Sequence, residues 1–524
     1  MNKEEIGQRL MLAFRGFQYR ESAAFSELLS YRPAGFTFFR PFNIQSPAQL
    51  RQLTNDLSRV AQRAGMPPFL YALDQEGGQL MAAGACTQLP GNMALGATQS
   101  PNLAYQAGKV LGRELSAMGI NADYAPCVDV NINPMNPVVG VRSFGEDPQA
   151  VARLAEAMVR GIQSQGVAAT AKHFPGHGDT STDSHVSMPL VSHTLSQLDE
   201  IDLVPFQAAV DADVKLVMTA HLGLPVLQAG NPIPSTLSSE VLQGLLRGQC
   251  RYAGVIITDA MDMHAIRQGD ALREEVRRAM QAGVDLLLMT ADPQDHRRAF
   301  DGVTDAYAAT ERDVFNASLA RIRALKDWIQ QHRVETPLDV IQCDEHRQIA
   351  RQIAEASITL VRDNHKLLPL NPQHRLAVIL PQPQDLTPAD TSSYVQIKLA
   401  DALRSYLPAV EELRIALDPD DAEISRALQF AEGFDSVLVG TINAMANAGQ
   451  AKLVNALQSR TTDLIVAALR LPYDLAVFPE VGTYVCTYSI LDPSMDALAA
   501  ALAGKIPCRG KLPVSIPNTI NNQA

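Results

Sequence analysis

The sequence predicts an α/β protein, with a (β/α)8 TIM-type barrel over residues 1–335 and a smaller α/β sandwich domain over residues 336–524. Three observations predict it. Short apolar, β-rich runs alternate with longer amphipathic stretches as far as about Pro337. Polar residues stand at the end of one run after another. A second, independent set of alternating elements then follows. Strand and helix alternating in this way define an α/β fold with a parallel sheet.

The strand candidates of the first part are GFTFFRP (35–41), FLYALDQE (69–76), NADYAPCVDV (121–130), VAATAKHF (167–174), KLVMTAHL (215–222), GVIITDA (254–260) and DLLLMT (285–290). They are mostly continuous apolar runs, as strands buried on both faces of a parallel sheet should be. Stretches such as PQAVARLAEAMVRGIQSQG (148–166) lie between them with apolar residues at helical spacing. Seven strands are legible, and an eighth is expected to be irregular or lost. Asp74, Asp129, Lys172 with His173, His221 and Asp259 stand at the C-terminal ends of successive runs. In a barrel those ends converge on the face where active sites are built.

HRVETPLDV (332–340) reads as the linker. Beyond it come a helix (DEHRQIARQIAEAS, 344–357) and the apolar runs SITLVRDN, RLAVILPQ, ELRIALD, DSVLVGT, DLIVAAL and TYVCTYS. No GxGxxG or GxxxxGK[ST] follows any of these runs, so nucleotide binding has no support.

At 524 residues the chain is too long for one ordinary domain. Its formal charge of −12 argues against a broad nucleic-acid or anionic-membrane surface. The six scattered cysteines form no CxxC and no disulfide-style cluster. The start MNKEEIGQRLMLAFRGF carries no leader-like apolar region, and no apolar run approaches the ~20 residues of a membrane span. The expectation is a cytoplasmic protein with a small-molecule substrate, no nucleic-acid or membrane partner and no cofactor.

The densest chemistry lies in AKHFPGHGDTSTDSHVSMP (171–189), where a strand ends in Lys172 and His173 and glycines open a loop carrying His177, Asp179, Asp183 and His185. Residues two apart in an extended segment point the same way, so Asp183 and His185 can meet. A carboxylate beside an imidazole fixes its tautomer and stabilises its protonated form. Imidazole titrates near neutrality and can both give and take a proton. Zinc is the competing use of these histidines, but no HExxH is present and the H-x3-H-x7-H spacing crosses a glycine-containing loop. A Ser184 nucleophile lacks a surrounding GxSxG.

Asp259, ending GVIITDA, suits either a nucleophilic carboxylate at a barrel mouth or the N-cap of a following helix; taken alone, the cap is favoured. Asp74 in ALDQEGG and Arg142 in GVRSFGEDP suit either structural ion pairs or directional hydrogen bonds to sugar hydroxyls.

Taken together, DQEGG, PGNMALGA, DYAPCVDV, RSFGEDP, KHFPGHGDT…DSH and TDAMDM resemble family 3 glycoside hydrolases, in particular their bacterial β-N-acetylglucosaminidase branch. The second domain is similar more loosely, through ASITLVRDNHKLLPL and GKLPVSIP. The resemblance implies Asp259 as nucleophile and His185, paired with Asp183, as acid/base. It implies Asp74, Arg142, Lys172 and His173 as contacts of the bound sugar. The implied reaction is retaining double displacement that removes terminal β-linked N-acetylglucosamine from peptidoglycan- or chitin-derived fragments, with loop movement during turnover. Gln79 and Ala260 replace the Arg and Asp frequent in the single-domain members, which brings the chain nearer the two-domain enzymes. In other branches the second domain supplies the acid/base; the DSH element makes that unnecessary here, so a structural or substrate-restricting role is expected. The alternatives are phosphorolysis on the same scaffold, which a histidine acid/base would not repel, a metal-dependent hydrolase, and a non-catalytic sugar-binding protein.

Overall fold

The computed structural model describes residues 3–182, 187–228 and 231–517. Asp183 and His185 therefore lie outside the described residues.

The first part is a parallel barrel of eight strands. They are β1 (Leu10–Leu12), β2 (Gly35–Thr37), β3 (Leu70–Leu73), β4 (Ala122–Asp123), β5 (Ala168–Phe174), β6 (Leu216–Thr219), β7 (Val255–Thr258) and β8 (Leu287–Leu288). The hydrogen-bonded order is β8-β1-β2-β3-β4-β5-β6-β7. A parallel bridge between Ile257 and Leu286 joins β7 to the residue before β8 and brings the ring round. The expectation of a lost or irregular eighth strand is corrected. The missing member is β1, which lies in the opening segment that was considered only as a leader.

Both faces of the strands are buried, as their continuous apolar composition requires. Val255 and Ile257 join Met11, Ala72, Ala168 and Met218 in the barrel interior, while Ile256 between them packs outward against the helices. The helix Pro148–Gln163 belongs to that outer layer, its apolar stripe Val151, Ala155, Met158 and Ile162 turned inward. The long helix Arg312–His332 adds Ile322, Leu325 and Ile329 to the interior cluster. Its Phe315 carbonyl accepts a 2.6 Å hydrogen bond from Arg9, just before β1, and its Arg321 pairs at 2.8 Å with Asp285, just before β8. The helix thus plugs the end of the barrel where strands begin, and the site is left to the other end.

The second part holds a six-stranded sheet of β9 (Thr359–Asp363), β10 (Leu376–Pro381), β11 (Val410–Ile415), β12 (Ser436–Thr441), β13 (Leu464–Ala468) and β14 (Thr483–Cys486). Their order is β9-β14-β13-β12-β10-β11, with only the β9–β14 pair antiparallel. Alternating residues feed two cores. Val378, Leu438 and Ile465 lie on one face, and Ile379, Val439 and Val466 on the other. The second of these cores also contains Met93, Ala94, Ala97 and Val141 from the barrel part. Helix Asp344–Ser357 adds a polar tie, His346 Nδ1 to Glu114 Oε1 at 2.8 Å, with both side chains buried.

One buried cation stands apart from the ion pairs. Lys326, on the plugging helix and 6% exposed, donates to Gln8 Oε1 at 2.6 Å. Burial pushes its ammonium down from 10.5 to about 7. The unfolded chain then binds more protons than the folded one between those values, so this residue makes stability rise with pH from about 7 to 10.5. Urea unfolding at pH values across that window is expected to show wild-type stability gaining on the order of a few kcal/mol relative to Lys326→Met. Equal pH slopes for the two proteins would show that Lys326 stays charged.

Candidate active site

A cavity of about 630 Å³ opens at the C-terminal ends of the barrel strands. Asp74, Arg142, Lys172, His173 and Asp259, the five described residues among the implied site residues, line it together with His177.

The floor is a chain of buried charges. Lys172, within β5, places its ammonium 2.7 Å from Asp74 and 2.7 Å from Glu76. Glu76 in turn grips Arg142 with both oxygens, at 2.7 and 2.9 Å. Such two-pronged pairs fix orientation as well as charge. Burial alone would raise the Glu76 carboxyl, but Arg142 and Lys172 outweigh it and hold it at about 2. In return Glu76 keeps Arg142, and Asp74 with Glu76 keeps Lys172, above their ordinary values against their own burial.

Glu76 was missed in sequence, although it lies inside DQEGG. Its place follows from a short hairpin, Gln75–Gly77 with Leu80–Met81, that begins directly after Asp74. At the turn Gly77 and Gly78 adopt φ of 80° and 63°, which favour glycine. Beneath the hairpin Asp123 accepts from the Gln75 amide at 3.1 Å, and burial pushes its carboxyl well above the usual carboxylate range.

His173 is held by Asp129, its Nδ1–H donating to Oδ2 at 2.7 Å. That contact directs Nε2 toward Arg142, whose guanidinium lies 3.4 Å away. The other Asp129 oxygen accepts the amides of His173 and His177 at 3.2 and 2.7 Å. Asp129 was legible only as one more strand-end carboxylate. His177 hydrogen-bonds Thr180 through Nδ1 at 2.7 Å, and burial lowers its imidazole to about 4, so it is neutral at physiological pH.

Among the described residues, Cys127, Asp129 and His173 bring their donor atoms closest to a metal-binding arrangement. Their atoms face one another instead: Asp129 Oδ2 is 2.7 Å from His173 Nδ1 and accepts from Cys127 Sγ at 3.2 Å. Ligands each about 2.0–2.3 Å from a tetrahedral zinc lie farther apart than that hydrogen bond.

Asp259 is half-buried, and its Oδ1 accepts the Ala260 amide at 2.7 Å. The helix-cap alternative fails: the chain runs on through turns, and the next helical residues are Gly269–Ala271. His221 supports this segment from behind, donating from Nε2 to the Ala260 carbonyl at 3.1 Å.

The second domain forms the remaining wall through Asp385, Pro388, Ala389, Asp390, Thr391 and Tyr394. Gln79 holds that wall in place. Its carbonyl accepts the Thr391 amide and hydroxyl at 2.8 and 2.7 Å, and its side chain donates to the Ala389 carbonyl at 3.1 Å. Its Oε1 also accepts from Arg470, which pairs with buried Asp390 at 2.8 Å.

A barrel whose mouth displays fixed cations, carboxylates and imidazoles around an open cavity has the architecture of a (β/α)8 enzyme. Residues 1–325 match the glycosyl hydrolase family 3 N terminal domain and residues 358–524 the family's C-terminal domain. The chain belongs to glycoside hydrolase family 3, and it is a glycoside hydrolase. It is 30% identical over 577 aligned residues to beta-hexosaminidase A of Pseudoalteromonas piscicida, covering 98% of this chain and 96% of that one. The solved β-N-acetylglucosaminidase of Paenibacillus sp. str. FPU-7 superposes with a TM-score of 0.92 at 35% identity, over 99% of this chain and all of that one. A beta-glucoside phosphorylase, BglX, shares the fold at 22% identity and a TM-score of 0.82.

Replacing Glu76 by Gln removes the carboxylate between two buried cations. Glu76→Gln is expected to lower stability by about 3 kcal/mol or more in urea unfolding at neutral pH. A loss below about 1 kcal/mol would mean that Asp74 alone balances the floor.

Proposed function

We propose that the protein is a retaining exo-β-N-acetylglucosaminidase with Asp259 as nucleophile and His185, oriented by Asp183, as acid/base. The observation that carries this reading is the half-buried Asp259 carboxylate in the same cavity as the Lys172–Glu76–Arg142 floor. Whole-length likeness to a beta-hexosaminidase and a β-N-acetylglucosaminidase supports the sugar and the hydrolysis. Phosphorolysis has no comparable support, since the phosphorylase shares the fold alone.

The sugar rests on the charged floor. Asp74, Lys172, Arg142 and His173 offer hydroxyl-directed hydrogen bonds whose geometry is set before substrate arrives. Asp259 attacks the anomeric carbon as His185 protonates the leaving oxygen, and a glycosyl ester forms. The same imidazole then takes a proton from water, which opens the ester with overall retention. The wall from the second domain restricts what lies beyond the bound sugar, which suits short fragments of peptidoglycan or chitin ending in N-acetylglucosamine.

A panel of nitrophenyl glycosides tests the assignment. The N-acetyl-β-glucosaminide is expected to be the preferred substrate, with the β-anomer as first product by NMR. His185→Ala is expected to lose about 10²–10⁴ in rate, and Asp259→Ala more. Preference for the glucoside, an α-anomer as first product, or glycosyl phosphate formation in phosphate buffer would each overturn it.

A further inference from the structure

The loop after β5 is tied at its base by a histidine that the proposed mechanism does not use. His193, 6% exposed, places Nδ1 2.6 Å from Asp202 Oδ2 and Nε2 3.0 Å from Asp179 Oδ2. Asp179 stands on the arm of chain that runs toward Asp183 and His185, and His193 on the arm that runs away from them. Asp202 ends the helical turn Leu198–Asp202 and packs so closely on Gly176 that a Cβ there would lie 2.7 Å from its carboxylate.

Each arm has its own anchor on the barrel. Asn136 donates to the His177 carbonyl at 2.8 Å and Asn133 to the Thr180 carbonyl at 3.2 Å. On the returning arm the Val191 amide donates to the Gly223 carbonyl at 3.0 Å, and the Gly223 amide to the Pro189 carbonyl at 2.9 Å. Among the described residues, the His193–Asp179 contact is the side-chain ion pair that joins one arm to the other.

An imidazole with a carboxylate oxygen at each nitrogen can donate to both only when protonated. The neutral ring keeps one N–H and turns a lone pair on the other carboxylate. We propose that His193 is a positioning residue for the acid/base pair: as the imidazolium it bridges Asp202 and Asp179 and so fixes the spacing of the two arms that carry Asp183 and His185. This rests on the assignment of His185 as the acid.

The surrounding charges favour the bridged form. The hydrogen bond with Asp202 and then the charges of Asp202 and Asp179 raise His193 above its ordinary value against its burial. Asp129 lies behind Asp202 and adds to the negative field there. As pH rises through that raised value the bridge to Asp179 is lost, and the acid is held less well.

The test is kcat/KM for N-acetyl-β-glucosaminides with a good leaving group (dinitrophenyl) and a poor one (methylphenyl). Leaving groups that need no proton are insensitive to a displaced acid. Asp179→Ala, at a side chain 34% exposed, leaves the His193–Asp202 anchor in place. It is expected to lose at least tenfold on the poor leaving group and less than twofold on the good one. Asp179→Asn restores a donor toward the neutral ring, so its activity should match wild type and its alkaline limb should move to higher pH. Equal losses of Asp179→Ala on both substrates, or none on either, would overturn the proposal. His185→Ala run alongside separates the two claims. Leaving-group dependence in His185→Ala but not in Asp179→Ala sinks the bridge alone; no leaving-group dependence in His185→Ala sinks the acid assignment and, with it, the bridge's role as its positioner.

Discussion

Removing an ammonium and a guanidinium from water costs several kcal/mol per ion unless each is met by a carboxylate in good geometry. Lys172, 1% exposed, and Arg142, 4% exposed, both meet that condition through one side chain, Glu76. Much of the surrounding structure serves this requirement. The hairpin after β3 brings Glu76 between the two cations, Asp123 beneath it holds the Gln75 amide, and Asp129 occupies one side of His173 so that the other faces Arg142. A floor balanced in this way has its charges and dipoles fixed in advance of any ligand.

The same requirement explains why the second domain matters to a site built on barrel strands. The loop before Arg142 packs its Val141 into the core of the six-stranded sheet, and Asn131 donates to the Tyr473 hydroxyl at 3.0 Å. The hairpin that carries Glu76 has Gln79 in its turn, which the second domain holds from three directions. Each partner of the buried pair is therefore braced from outside the barrel. An arginine at position 79 would face Arg470, whereas the neutral amide accepts from it; this fits the departure seen in the sequence.

Much of this was legible in the sequence for identifiable reasons. Seven barrel strands lie in apolar runs because they are buried on both faces, as are the inner strands of the second sheet. Its edge strands Thr359–Asp363 and Val410–Ile415 are partly exposed and more polar. The helix 344–357 begins and ends as its pattern indicates. β1 was not singled out, since its short run follows directly on the helical start of the chain and its place is set by neighbours on either side. The cavity residues Asp74, Arg142, Lys172, His173 and Asp259 could be named because they stand at strand ends or in glycine-punctuated loops. Glu76 and Asp129 could not be given roles, because their importance lies in partners 66 and 44 residues away. The duties of Gln79 and His193 are likewise contacts between distant segments, which no local pattern encodes.

The last described stretch of chain returns to the barrel. The Lys511 amide donates to the Ala97 carbonyl at 3.0 Å and the Glu146 amide to the Pro513 carbonyl at 3.0 Å, while Gly96 and Gly145 leave room for Pro513 to approach. The second domain is thus fastened at its far end as well as at the linker, like a clasp closed on both sides. A single proteolytic cut in the exposed linker near Arg333–Glu335 would sever the covalent connection without freeing either half. The nicked pieces would remain one particle, and the cavity at the barrel mouth would keep its second wall.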